Sequence, residues 1–109
     1  MSVSVRQQGS VTIVSLQGQI TGDTAMLKAV RAALDTGARS ILMDMTGITA
    51  VDSSGIGELN NVRAAVTDRG GAIKLLVPSA VTNVPGIAQL SGFQTFRTEK
   101  DAIVSFGSV

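Results

Sequence analysis

Apolar residues follow two different periods along the chain, and the change between them divides the sequence into strands and helices. Near the N-terminus, Val3 and Val5 alternate with polar residues, and Gly9-Ser10 separates them from an apolar run over residues 11–16. Alternation on both sides of a short glycine-containing break is typical of an antiparallel hairpin. The first two strands are therefore predicted to pair with each other, with Gly18 ending the second.

Beyond the hairpin, segments with helical spacing alternate with short apolar runs. Such alternation is typical of parallel strands joined by helices. The first predicted helix begins near Thr21-Gly22-Asp23-Thr24 and is closed by Gly37, and a strand at 40–45 follows, with a turn at Thr46-Gly47. A second helix is predicted from Ser53 to about Arg69, followed by a strand at 72–77. The remaining elements are a third helical segment at 78–90 interrupted by Pro85-Gly86, a strand at 93–97 and a terminal helix at 98–106.

The predicted fold class is α/β. A chain of 109 residues with 44% hydrophobic residues is long enough for one core and too short for two. We therefore expect a single domain over residues 1–109, built on a mixed, mostly parallel sheet with an N-terminal β-hairpin and about four amphipathic helices. The oligomeric state stays open.

The composition argues against several classes of function. The net charge is +1 and the nine basic residues are scattered, so nucleic-acid binding is not supported. Histidine and cysteine are both missing, so the common zinc sites and the Ser-His-Asp and Cys-His arrangements cannot be built from this chain alone. An enzyme is therefore not expected, and no cofactor or metal is predicted.

No stretch of the sequence predicts insertion into a membrane. The first eight residues contain no long apolar segment, and no run reaches the roughly 18 apolar residues of a membrane span. A cytoplasmic location is expected.

The most informative stretch covers residues 43–59, where the apolar period changes from strand to helix. Asp52, Ser53 and Ser54 lie where a new helix leaves its first N–H groups unpaired, so they are candidate helix caps. The same position attracts anions. A serine there is either part of the cap or a hydroxyl offered to the active site of another protein, and the residues alone allow both.

Two glycines follow in the first turn of that helix. Gly55 and Gly57 lower helix propensity, so they indicate close packing, turn geometry or a backbone that another protein can approach. A phosphate-cradling loop is a third possibility, although neither a Walker lysine nor a complete G-x-G-x-x-G pattern is present.

Two segments of this stretch resemble a known signature. Asp44-Met45-Thr46-Gly47-Ile48 and Val51-Asp52-Ser53-Ser54-Gly55-Ile56-Gly57 resemble STAS domains, specifically those of bacterial anti-sigma factor antagonists. The resemblance spans nearly the whole chain and implies the STAS fold. It also implies phosphorylation of the serine directly after the aspartate, which is Ser53 here, with Ser54 as the alternative.

The same resemblance implies a set of partners. The unphosphorylated protein would bind an anti-sigma factor serine kinase and release a sigma factor, and phosphorylation would end that interaction. A PP2C-type phosphatase would restore the protein. The residues expected to form the partner-binding site are Asp23, Asp52, Ser53, Ser54, Gly55, Glu58 and Asn61.

The sequence makes further predictions for the second helix and for the position of Thr21. Four residues lie off the apolar stripe of the second helix and are predicted to form a solvated face: Glu58, Asn60, Asn61 and Arg63. Relatives usually carry an aspartate near the position of Thr21, whereas Asp23 is the nearest carboxylate in this chain.

A second hypothesis assigns the chain a different role. It would be an adaptor or scaffold subunit of a signalling or lipid-transport complex, in which Ser53 is never phosphorylated.

Overall fold

The computed structural model describes residues 2–22, 24–90 and 92–107. These parts of the chain contain five strands, three α-helices and two short 3₁₀ turns. In chain order the elements are β1 (Ser2–Gln8), β2 (Val11–Ile20), α1 (Ala25–Asp35), β3 (Ser40–Val51), α2 (Ser53–Asp68), β4 (Ala72–Leu76), the 3₁₀ turns Ser79–Val81 and Ile87–Leu90, β5 (Thr95–Phe96) and α3 (Glu99–Ser105).

The strands form one mixed sheet in the order β1-β2-β3-β4-β5. β1 and β2 pair antiparallel around a tight turn in which Gly9 adopts a φ of 63°, a conformation that glycine reaches without steric cost. The remaining neighbours, from β2 to β5, are parallel. The predicted α/β class, with an initial hairpin and a mostly parallel sheet, is confirmed.

The two faces of the sheet are covered by different helices. The larger core lies between the sheet and the pair α1 and α2, with Met26, Val30 and Leu59 fully buried in it. The smaller core lies on the opposite face, where Ala102 of α3 packs against buried side chains of β2, β3 and β4. Two buried layers explain why the central strands are nearly continuous apolar runs.

The terminal helix α3 is held at both ends. The Thr98 hydroxyl accepts a hydrogen bond from Asp101 N at 3.2 Å and so caps the first turn. Lys74 Nζ donates to Ser105 O at the other end, at 2.8 Å, and lies 4.5 Å from the centre of the Phe106 ring. These contacts fix α3 across the smaller core.

Two predicted strand ends are wrong, because β2 and β3 both run further than the sequence indicates. Gly18 does not end β2, and Thr46-Gly47 is not a turn but part of β3. The pairing of the two strands shifts register next to these residues, and a Cβ on Gly47 would lie 3.0 Å from Leu16 O. Both glycines therefore lie where the two long strands pair closely and irregularly, and neither reverses the chain.

The third predicted helix is also wrong. The chain forms only the two 3₁₀ turns over residues 78–90, so the described residues hold three α-helices instead of about four. Gly86 adopts a φ of +90°, and the carbonyl of Pro85 accepts a hydrogen bond from Val51 N at 2.8 Å. This segment does not form an α-helix because its backbone is hydrogen-bonded to the end of β3.

Candidate phosphorylation and partner site

The site lies at the corner where β3 ends and α2 begins. Val51 N donates to Pro85 O at 2.8 Å on one side of the corner, and Asp52 N donates to Ile20 O at 3.2 Å on the other. The corner is therefore bonded to the segment after β4 and to the end of β2. These bonds fix the direction in which α2 leaves the sheet.

Asp52 is the cap of α2. Its backbone is extended, with φ −94° and ψ 177°, and its carboxylate accepts a hydrogen bond from Gly55 N at 2.7 Å. Asp52 O also accepts from Ile56 N at 3.0 Å, which closes the first turn. Because the aspartate alone satisfies the cap, the two serines that follow are not needed for it.

Ser53 and Ser54 are both exposed, but they face different surroundings. A Cβ added to Gly22 would lie 3.0 Å from Ser54 Cβ, so Ser54 lies against the connection between β2 and α1. Gly55 faces Ile20, and Ser53 lies about 200° around the helix from Gly55. Ser53 therefore points away from the body of the domain, and no described residue hydrogen-bonds its hydroxyl.

The two glycines of the first turn have different environments. Gly55 is buried, and a Cβ there would lie 2.2 Å from Ile20 O. Gly57 is exposed, and a Cβ there would meet nothing within 4 Å. Close packing thus accounts for Gly55, whereas Gly57 leaves an open patch of helix backbone one turn after Ser53.

Glu58 is buried, with only 6% of its surface exposed, so the prediction that it lies on a solvated face is wrong. Its Oε2 accepts a long hydrogen bond, 3.4 Å, from Leu27 N in the first turn of α1. The physical reason is that α1 packs along this side of α2, so a carboxylate there meets the N–H groups that open α1. Direct contact between Glu58 and a partner is not available in this arrangement.

The other predicted site residues are distributed as follows. Asn61 is exposed on α2, as expected for a solvated face. Asp23 lies outside the described residues, and Thr21 is half-buried. Asp52, Ser53, Ser54 and Asn61 are therefore the predicted residues that the structure brings to one exposed surface.

Arg63 contributes a contact that the sequence analysis did not find. Its guanidinium lies 4.5 Å from the centre of the Phe93 ring and donates to Gly92 O at 2.8 Å and to Asn60 Oδ1 at 3.2 Å. These contacts hold the segment before β5 against α2. An arginine among polar residues on a helix gives no sequence signal for such a contact, because its partners lie 29 and 30 positions later.

The exposed side of α2 carries no acidic side chain between its cap and Asp68, because Glu58 is buried. Arg63 is half-buried against Phe93 rather than fully solvated as predicted, and the exposed residues of the helix include Ser53, Gly57, Asn60, Asn61 and Ala64. We call these five residues the α2 face. A negative charge added at Ser53 would lie directly beside Asp52.

We expect the Asp52→Ala variant to lose about 1 kcal/mol of stability, since removing a capping carboxylate leaves Gly55 N without its acceptor. The Asp52→Asn variant should lose much less, because asparagine also caps helices well. Urea denaturation of the two variants distinguishes the stability contributed by the capping hydrogen bond from that contributed by the charge of Asp52. Equal losses in both would contradict the assignment of Asp52 as a hydrogen-bonding cap.

Nothing in the described ranges points to a metal or to a membrane. No group of three or more acidic, histidine or cysteine residues is placed to bind a metal ion there. No helix in those ranges has the length and apolar character needed to cross a bilayer.

The family model described as "Mlab, STAS domain" matches residues 3–98. No curated protein sequence matches the chain significantly.

Several solved structures share the fold. An anti-sigma factor antagonist from Mycobacterium paratuberculosis is 20% identical, with a TM-score of 0.74 over 95% of this chain and 92% of that one. The unphosphorylated anti-sigma factor antagonist SpoIIAA is 22% identical, with a TM-score of 0.67 over 99% of this chain and 100% of that one. Its phosphorylated form, from Bacillus, is 20% identical, with a TM-score of 0.68 over 96% and 99%.

The fold also occurs inside a larger protein. A murine anion transporter, Solute Carrier 26 family member A9, is 18% identical to the chain with a TM-score of 0.70, over 95% of this chain and 19% of the transporter. The family match extends over most of the sequence. The chain belongs to the STAS domain family.

Proposed function

We propose that this protein is an anti-sigma factor antagonist controlled by phosphorylation of Ser53. In its unphosphorylated form it binds an anti-sigma factor serine kinase, which then releases a sigma factor. Phosphorylation by that kinase ends the interaction, and a PP2C-type phosphatase reverses it. The chain itself is not catalytic, and its place of action is the cytoplasm.

The proposal rests on the different roles of Asp52 and Ser53 at the start of α2. Asp52 caps the helix through Gly55 N, and Ser53 presents an exposed hydroxyl beside it. A serine needed only for capping would bond the helix N–H groups itself. An exposed hydroxyl on a fixed corner is suited to entering the active site of a kinase.

The charge distribution supports a surface switch. Phosphorylation of Ser53 adds about −1.5 to −2 charge, and that charge would lie beside Asp52. Like charges brought together across an interface cost several kcal/mol. The same phosphate at a helix N-terminus gains about 0.3–1 kcal/mol from the helix dipole. The fold is therefore expected to persist while partner binding is lost.

The comparisons agree with a switch that leaves the fold intact. The chain matches the unphosphorylated and phosphorylated SpoIIAA structures with TM-scores of 0.67 and 0.68. The fold common to both forms is the one found here.

We expect Ser53→Ala to abolish phosphorylation and Ser54→Ala to leave most of it. Ser53 points outward, whereas Ser54 lies against Gly22 and is less accessible to a kinase. Purified variants incubated with native-host lysate and magnesium ATP, then analysed by intact-mass spectrometry, would show the addition of one phosphate. Equal phosphorylation of the Ser53→Ala variant and the wild type would reject Ser53 as the acceptor.

A second candidate function is an adaptor or scaffold subunit of a signalling or lipid-transport complex. The observation that favours it is the match to a transporter in which the same fold makes up 19% of the chain. In that case Ser53 would stay unmodified, and its replacement would not change the set of bound proteins. Intact-mass measurement of the native protein in different growth states separates the two candidates.

A further inference from the structure

A cavity of about 260 Å³ lies at the carboxyl end of β4 and β5, outside the site described above. Its apolar wall is formed by Val77, Ile87, Ala88 and Leu90. Val77 directly follows β4, and its N–H donates to Phe96 O at 2.8 Å, so the cavity opens where two parallel strands end.

One charged side chain faces this apolar wall. Arg97 lines the cavity together with Thr82 and Thr95, and its Nη1 donates to Val77 O at 2.8 Å. That bond positions the guanidinium at the wall and uses one of its five N–H donors. Within residues 2–22, 24–90 and 92–107, Arg97 forms no ion pair, since the recorded pairs are Arg6 with Glu99 and Arg69 with Asp35.

We propose that this cavity binds a small amphipathic monocarboxylate, such as a medium-chain fatty acid. The carboxylate would pair with Arg97, whose fork of donors matches a carboxylate in two-point geometry. The aliphatic part would contact Val77, Ile87 and Leu90. The cavity is smaller than the roughly 300–1,000 Å³ of sites for drug-sized ligands, which restricts the occupant to a small molecule.

The chemistry of the cavity separates this ligand from two related classes. A neutral alcohol of the same length would fill the apolar part but leave the guanidinium without an anion. Inorganic phosphate would pair with the guanidinium but gain nothing from the apolar wall. A carboxylate joined to a short aliphatic chain satisfies both.

The test is an NMR titration of the full chain, ¹⁵N-labelled, with sodium octanoate, octan-1-ol and sodium phosphate in parallel. With octanoate we expect saturable shifts of the Thr82, Ala88, Thr95 and Arg97 amides. The other two compounds should bind at least about tenfold more weakly, because each lacks one of the two contacts. Octanoate shifts that do not saturate, or that map elsewhere, would overturn the proposal, as would equal binding of the alcohol or of phosphate.

Three variants test the placement of the ligand. Arg97→Gln should weaken octanoate binding about three- to fivefold, since it removes the ion pair of an exposed guanidinium. Arg31→Gln removes the same charge from the exposed surface of α1 and should leave binding unchanged. Ala88→Phe retains Arg97 but fills the cavity from its exposed rim, and should block binding. Unchanged affinity in either cavity variant would contradict the assignment.

Discussion

Replacing Ser53 with glutamate is expected to eliminate capture of an anti-sigma factor kinase from native-host lysate. The substitution adds a negative charge to the otherwise uncharged α2 face, next to Asp52. A like-charge contact across an interface costs several kcal/mol, so the dissociation constant should rise about a hundredfold or more. The measurement is affinity capture on immobilised wild-type and variant protein in the presence of ADP, with the bound proteins identified by mass spectrometry.

The matched control for this experiment is Ala32→Glu. It adds the same charge to an exposed position of α1 and should capture the kinase as the wild type does. Ser53→Ala, which removes the hydroxyl without adding charge, should also retain binding. If wild type and Ser53→Glu captured the same proteins, the phosphorylation switch would be rejected and the adaptor role favoured.

Gly55→Ala should be among the most destabilising single-methyl changes in the chain. Alanine normally raises helix stability relative to glycine, but a Cβ at position 55 would lie 2.2 Å from Ile20 O and 2.8 Å from Ile20 Cγ2. Relief of this overlap requires α2 to move away from the end of β2, which should cost about 1–3 kcal/mol or more. Guanidinium denaturation of the two proteins measures the difference.

Gly57→Ala is the matched control, since it makes the same change two positions later in the same helix. No atom lies within 4 Å of a Cβ there, so only the helix propensity changes. The variant should gain about 0.5–1 kcal/mol. Opposite signs for the two substitutions are the expected result. A stabilised Gly55→Ala variant would show that α2 does not pack against Ile20 as described.

The hydrophobic periods were sufficient to predict the class of fold, the initial hairpin and the start of α2 at Ser53. These features depend on local pattern, which the sequence displays directly. The length of β3 could not be predicted in the same way. Thr46-Gly47 looks like a turn because it interrupts the apolar run of the strand. In the structure Asp44 Oδ1 accepts a hydrogen bond from Thr46 N at 3.0 Å, a local bond that also occurs in turns. Pairing with β2 nevertheless keeps the segment in the sheet.

Only part of the candidate site was predicted, because only part of it depends on local pattern. The serine corner follows from local spacing, whereas the burial of Glu58 depends on α1 packing beside α2, which no spacing in α2 reveals. The same holds for Arg63, whose contact with Phe93 joins residues 30 positions apart. Long-range packing decided which polar residues of α2 reach the surface.

The hydrogen bonds from Val51 to Pro85 and from Asp52 to Ile20 have a further consequence for recognition. A corner that is already ordered loses little conformational entropy when a partner binds, so the affinity is set mainly by the chemistry of the exposed atoms. A single phosphate can then control binding without first reorganising a loop. Pro85 and Ile20 accept the hydrogen bonds that order the corner, and they need not contact the partner themselves.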